Sequence, residues 1–192
     1  MNHGSQKNIY NLPNALTVIR LACIPLVMIC LNIPGRWGGF LAALFFGMAS
    51  ITDILDGFFA RRYGAVTSLG KFLDPLADKI LICLTMIMLI PLGRIPVWMV
   101  LIIVMREMAV TGLRGIAISE GIVITASSLG KYKTLFQSIA VLGLCLHYAY
   151  LDLSFHAVGM AFLWVALILT VWSGLDYLWK FKKVLVTRRQ GN

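Results

Sequence analysis

Asp53, Asp56, Asp74 and Asp78 are half of the eight acidic residues in the chain, and they stand at fixed intervals with small and basic residues in the pattern D-x2-D-G-x2-A-R-x8-G-x3-D-x3-D. A carboxylate in an apolar setting costs about 2.5–3.5 kcal/mol, so four close together call for a cation to hold. Oxygen-only ligands without His or Cys favour a hard cation, Mg2+ or Mn2+, over zinc. Magnesium commonly completes its shell with phosphate, which implies a phosphorylated substrate. Two such metals bridged by carboxylates could grip a diphosphate and stabilise the attacking and leaving oxygens of a displacement at phosphorus. A carboxylate at the edge of the site could instead serve as general base for an incoming hydroxyl. Spacing does not decide which aspartate that is. The structural alternative is that these residues pair with Arg61, Arg62, Lys71 and Lys79 at a membrane edge.

Two helices are needed to position the cluster. Asp56, Gly57, Ala60 and Arg61 follow Asp53 at offsets that place all five along one helical stripe. Gly70, Asp74 and Asp78 step by one turn along a second. The polar segment from Arg62 to Leu69 would let the second helix return antiparallel, bringing both aspartate pairs to one end of a bundle. Gly57, Ala60 and Gly70 suit close helix approach, and equally leave room for a flat ligand.

The background is apolar: of 192 residues, 59% are hydrophobic and 13% charged, with a mean hydropathy of +0.85. That composition excludes an ordinary soluble domain and predicts an all-α integral membrane protein. Six stretches long enough to span a bilayer lie at about 14–33, 38–60, 70–92, 96–117, 132–151 and 157–179. They make a single transmembrane domain over 1–192, with a short N-terminal segment, 1–12, and a basic tail, 181–192. Lys7, Arg61, Arg62, Arg114, Lys131, Lys133 and the C-terminal basic residues fall on one side, against Arg36 and Arg94 on the other. Both termini and the aspartates are therefore expected at the cytoplasmic face. The formal charge of +9 reads as a basic rim against anionic headgroups, not as a nucleic-acid surface. Cys23, Cys30, Cys83 and Cys145 lie in apolar spans without a CxxC pair and read as packing residues.

A second group of charges lies downstream. Arg106 sits well inside the fourth span, where an unpaired guanidinium would be expensive, so it should face a polar cavity. Arg114 shares its helix face nearer the cytoplasm, and Lys131 and Lys133 open the fifth span. These four cations could bind a phosphate, with Arg as a planar fork and Lys as a point charge. The alternatives are that Arg106 pairs with Glu107 or Glu120, and that the lysines touch headgroups only. His147 and His156 flank the fifth turn, away from the aspartates, and carry no expected catalytic role. Asp176 reads as an ion-pair partner.

The aspartate pattern matches, without departure, the signature of the CDP-alcohol phosphotransferase family, and the chain resembles that family from about residue 11 to about residue 180. The resemblance implies six membrane helices, two divalent cations (Mg2+ or Mn2+), a homodimer, and transfer of a phosphoalcohol group from a CDP-linked donor with release of CMP. By the same likeness Asp53, Asp56 and Asp74 would ligate metal, Asp78 would ligate metal and act as base, and Gly57, Ala60, Arg61 and Gly70 would face the nucleotide. Asn11–Arg20, Arg106-Glu107, Gly112-Leu113-Arg114 and Gly130–Gln137 resemble the bacterial branch that uses CDP-diacylglycerol as donor and sn-glycerol 3-phosphate as acceptor. That branch implies phosphatidylglycerophosphate as product and the bacterial cytoplasmic membrane, with its lipids, as surroundings. The same chemistry on serine, inositol phosphate or a phospholipid is the nearest rival. A divalent-cation transporter is the rival from another class, and it would need carboxylates at several membrane depths.

Overall fold

The computed structural model describes residues 12–63, 68–119, 128–150 and 152–190, and within them the side chains other than those of 12–18, 53–63, 68–76, 78, 118, 128, 129, 131, 150 and 183–190. The described chain is helical apart from one short hairpin, as composition predicts. Its contacts divide it into two compact units, Met1–Met88 and Leu89–Asn192.

In the first unit α1 (Leu12–Asn32) packs along α2 (Arg36–Tyr63), and α3 (Ser68–Leu89) follows. The buried residues of α1 that are described, Arg20, Cys23, Ile24, Val27, Cys30 and Leu31, recur at helical spacing. So do Ala42, Ala43, Phe46 and Ala49 of α2, whose small side chains allow close helix approach. Gly35, between the two helices, takes φ +89°, a backbone that glycine adopts without a Cβ clash. On α3, Ala77, Leu81, Ile82, Thr85 and Met86 are buried, and Thr85 returns its hydroxyl proton to Leu81 O at 2.7 Å.

The second unit holds α4 (Val97–Ser119), α5 (Ser128–Leu146), a two-stranded hairpin of β1 (Ala149–Tyr150) and β2 (Leu153–Ser154), and α6 (Phe155–Gln190). Trp98 meets Trp164 at 5.6 Å between ring centroids, and further along the same two helices Arg106 meets Ser173. That order makes α4 and α6 parallel. Gly143 lies against Gly159 and Gln137 bonds to Thr170, which makes α5 and α6 antiparallel. The glycine pair sets their closest approach: a Cβ on Gly143 would stand 2.9 Å from Gly159 Cα.

The fifth apolar stretch was expected to continue to about 151, but α5 stops at Leu146 and the chain turns into the hairpin. Arg94 supplies the stop. Its Nη1 donates to Cys145 O at 2.7 Å and Leu144 O at 3.4 Å, satisfying carbonyls at the end of α5 that have no partner within the helix. Charge counting treats Arg94 as an outer surface residue, whereas it is buried. At the other end the expected tail is not separate from the last span, because helical backbone in α6 continues to Gln190.

The inner faces of α4, α5 and α6 change character along their length. Toward the hairpin end they bury Met99, Val100 and Ile103 of α4, Val141, Leu144 and Cys145 of α5, and Leu163, Ala166 and Leu167 of α6. Toward the other end the buried residues are Glu107, then Lys133 and Gln137, then Thr170 and Ser173. The outward face of α6 is the reverse of a soluble helix, with Ile168, Trp172, Leu175 and Trp179 exposed one turn apart. Among the described residues one helix, over Phe155–Lys182 of α6, is long and apolar enough to cross a membrane, with mean hydropathy 2.0.

Candidate functional site

The helices carry the aspartate pattern where its periodicity predicts. Asp53, Asp56, Gly57, Ala60 and Arg61 lie in α2, and Gly70, Asp74 and Asp78 lie in α3. The side chains of these eight residues, and that of Lys131 in α5, lie outside the described residues.

The second constellation is described, and it forms a polar seam at one end of α4, α5 and α6. Arg106 and Lys133 converge on a single carboxylate. Arg106 Nη1 donates to Glu107 Oε1 at 3.2 Å, and Lys133 Nζ donates to the same oxygen. Glu107 and Lys133 are both buried. A carboxylate held away from water needs cationic hydrogen-bond donors, and two helices provide them here. The expected alternative for Arg106, a pair with Glu107, is thus present. It does not exhaust the guanidinium.

Arg106 also donates from Nη2 to Ser173 Oγ at 2.8 Å. Its stem lies on Gly174, where an added Cβ would be 3.1 Å from Cγ and 3.5 Å from Nε. A larger residue at that position would displace the arginine. The buried Nε has no hydrogen-bond partner among the described residues. Beside it, Gln137 Nε2 donates to Thr170 Oγ1 at 3.3 Å and ties α5 to α6.

Arg114 is placed differently. It is exposed, and its guanidinium carbon lies 6.0 Å from the ring centre of Tyr177, a cation–π contact. The seam therefore joins Arg106 and Lys133 to Glu107, with Arg114 further along beside Tyr177, and among the described residues its cations outnumber its carboxylate. Asp176 does not alter this balance, because it pairs with Lys180 at 2.7 Å.

Sequence reasoning named these cations but missed the residues of α6 that Arg106 and Arg114 meet. Ser173, Gly174 and Tyr177 follow Thr170 at offsets of a single helical stripe, a polar run inside an apolar span. That periodicity was the available signal. The histidines lie at the opposite, apolar end of the same three helices, with their Nδ1 atoms 3.2 Å apart.

Comparison with known proteins agrees with the pattern. A family model described as CDP-alcohol phosphatidyltransferase matches residues 10–172. The chain is similar to the CDP-diacylglycerol–glycerol-3-phosphate 3-phosphatidyltransferase of Bacillus subtilis (strain 168), 43% identical over 194 residues that cover 93% of this chain and 98% of the relative. The protein of the same name from Rickettsia bellii is 40% identical over 178 residues, 90% of this chain and 96% of the relative. A probable phosphatidylglycerophosphate synthase of Mycobacterium tuberculosis is 41% identical over 179 residues, 91% of this chain and 83% of the relative.

Proposed function

The chain belongs to the CDP-alcohol phosphatidyltransferase family, and from that membership we propose that it transfers the phosphatidyl group of CDP-diacylglycerol to sn-glycerol 3-phosphate, giving phosphatidylglycerophosphate and CMP. The names of its relatives support this donor and acceptor. The observation that carries the acceptor reading is the buried convergence of Arg106 and Lys133 on Glu107, with no partner for Nε of Arg106 among the described residues. A phosphorylated alcohol meets such a site with charge and with acceptor oxygens. An uncharged alcohol would leave the cations without a substrate partner.

The donor is assigned to α2 and α3. Their four aspartates are an oxygen-only set suited to Mg2+ or Mn2+. Asp53, Asp56, Asp74 and Asp78 would hold two divalent cations, which when bound neutralise the diphosphate and stabilise charge on its oxygens. Gly57, Ala60, Arg61 and Gly70 face the nucleotide. Arg106, Arg114, Lys131 and Lys133 bind the acceptor's phosphate. Asp78 takes the proton from the acceptor hydroxyl as its oxygen bonds to the diacylglycerol-bearing phosphorus. The bond from that phosphorus to the bridging oxygen breaks, and CMP leaves.

The outward apolar face of α6 supports placement in a membrane, where the donor's acyl chains would remain. Within this proposal the protein is multi-pass in the bacterial cytoplasmic membrane, a homodimer, with both termini and the site at the cytoplasmic face. An acceptor panel tests the assignment. Purified protein given CDP-diacylglycerol and Mg2+ or Mn2+ should release CMP with sn-glycerol 3-phosphate, and at background rates with serine, inositol phosphate or glycerol. Turnover of serine or glycerol in preference to glycerol 3-phosphate would refute it.

A further inference from the structure

Three residues on the inward stripe of α6, Thr170, Ser173 and Tyr177, carry hydroxyls, and only two of them are hydrogen-bonded among the described residues. Thr170 Oγ1 donates to Ala166 O at 2.6 Å, and Ser173 Oγ to Leu169 O at 2.6 Å, so both return their protons to their own helix. Tyr177 cannot do this, because a phenol holds its oxygen too far from the backbone of its own turn. The residue is 6% exposed, yet its hydroxyl has no hydrogen-bond partner among the described residues. A buried phenol is ordinarily satisfied, so this one calls for a partner beyond the described residues, and a bound ligand can supply it.

The neighbours define that partner. Arg114 lies over the face of the Tyr177 ring. Arg106 lies on Gly174, just under one turn back along the same stripe, with its own buried Nε also lacking a hydrogen-bond partner among the described residues. The guanidinium Nε can only donate and the phenol can donate, and with guanidinium groups beside both, they suit a group that accepts several hydrogen bonds and carries negative charge. A cation would be repelled. Phosphate oxygens meet both requirements, whether they belong to a soluble monoester or to a lipid headgroup.

We propose that Tyr177 is a specificity-determining residue for the acceptor, its hydroxyl donating to a phosphate oxygen of the bound phosphomonoester beside Arg106. This rests on the reading of Arg106 as an acceptor-phosphate ligand. The phenol adds what the cations lack. A guanidinium attracts any anion, whereas a fixed neutral donor rewards only a phosphate placed within hydrogen-bond reach of α6.

Tyr177→Phe removes one oxygen and keeps the ring under Arg114. It should raise KM for sn-glycerol 3-phosphate by about tenfold, the usual order for losing a hydrogen bond to a charged group. The inhibition constant of inorganic phosphate, used as a competitor, should rise by the same factor, with KM for CDP-diacylglycerol unchanged. Arg106→Gln, assayed alongside, separates this inference from the reading beneath it. If Arg106→Gln weakens both glycerol 3-phosphate and inorganic phosphate but Tyr177→Phe weakens neither, the Tyr177 assignment falls and the pocket stands. If neither substitution has an effect, both fall. A rise in KM for glycerol 3-phosphate with unchanged phosphate inhibition would put the hydroxyl on the glycerol moiety and overturn the proposal. An effect that follows the anionic lipid content of the micelles instead of the glycerol 3-phosphate concentration would assign the oxygen to a headgroup, and would overturn it equally.

Discussion

Arg106 and Ser173 are joined across the α4–α6 contact by a 2.8 Å hydrogen bond, and the arginine stem lies directly on Gly174. The absence of a side chain at 174 is therefore part of how Arg106 is aimed. Gly174→Val should displace the guanidinium and lower kcat/KM for sn-glycerol 3-phosphate by about 10- to 100-fold, as expected when a binding group moves by about an ångström. Steady-state kinetics with each substrate varied in turn would show it, with KM for the donor retained.

Glu107 and Lys133 make a prediction about stability distinct from catalysis. Removing one member of a buried ion pair leaves the other charge uncompensated, at a cost of about 3–5 kcal/mol. Glu107→Leu removes the carboxylate that Lys133 and Arg106 share and should be destabilised by about that amount. The double variant Glu107→Leu/Lys133→Met should recover much of the loss while remaining a poor user of glycerol 3-phosphate. Unfolding titrations in detergent, run beside acceptor kinetics, would separate the two effects.

Asp78→Asn should leave CDP-diacylglycerol binding measurable and reduce turnover by about 10²- to 10⁴-fold, the range for a lost general base. Near wild-type turnover would remove Asp78 from that role. The comparison requires saturating Mg2+, so that a weakened metal site is not mistaken for a missing base.

Chelation supplies the matching prediction for the aspartate cluster as a whole. EDTA should abolish CMP release, and Mg2+ or Mn2+ should restore it, because a hard cation suits an oxygen-only ligand set. Restoration by Zn2+ alone would contradict the ligand assignment.

The close crossing of α5 and α6 is testable without reference to activity. A Cβ on Gly143 would meet backbone of α6 at 2.9 Å, and backbone cannot rotate aside as a side chain can. Gly143→Ala should cost about 1–3 kcal/mol, the usual range for overpacking. Detergent unfolding midpoints would report it.

What the sequence discloses here depends on range. The positions of Asp53, Asp56, Asp74 and Asp78 on two helices follow from local periodicity, which short-range backbone geometry enforces. The cost of an intramembrane charge was enough to single out Arg106. Its actual partners were harder to foresee. Glu107 is adjacent in sequence, but Lys133 and Ser173 lie 26 and 67 residues from the groups they meet. Those meetings depend on α5 running antiparallel and α4 parallel to α6. The end of α5 was misjudged because Arg94, acting through tertiary contact, caps a helix whose apolar pattern continues beyond it. Tyr177 escaped notice because an aromatic residue in an apolar helix ordinarily reads as packing, and its unsatisfied hydroxyl is visible only in three dimensions.

The most direct test of the central claim is the product itself. Purified protein supplied with CDP-diacylglycerol, sn-glycerol 3-phosphate and Mg2+ should form one lipid per CMP released. Mass spectrometry should find the intact glycerol 3-phosphate moiety joined to the phosphatidyl group. CMP release that continues at the same rate without glycerol 3-phosphate, or a lipid product lacking its terminal phosphate, would contradict the account.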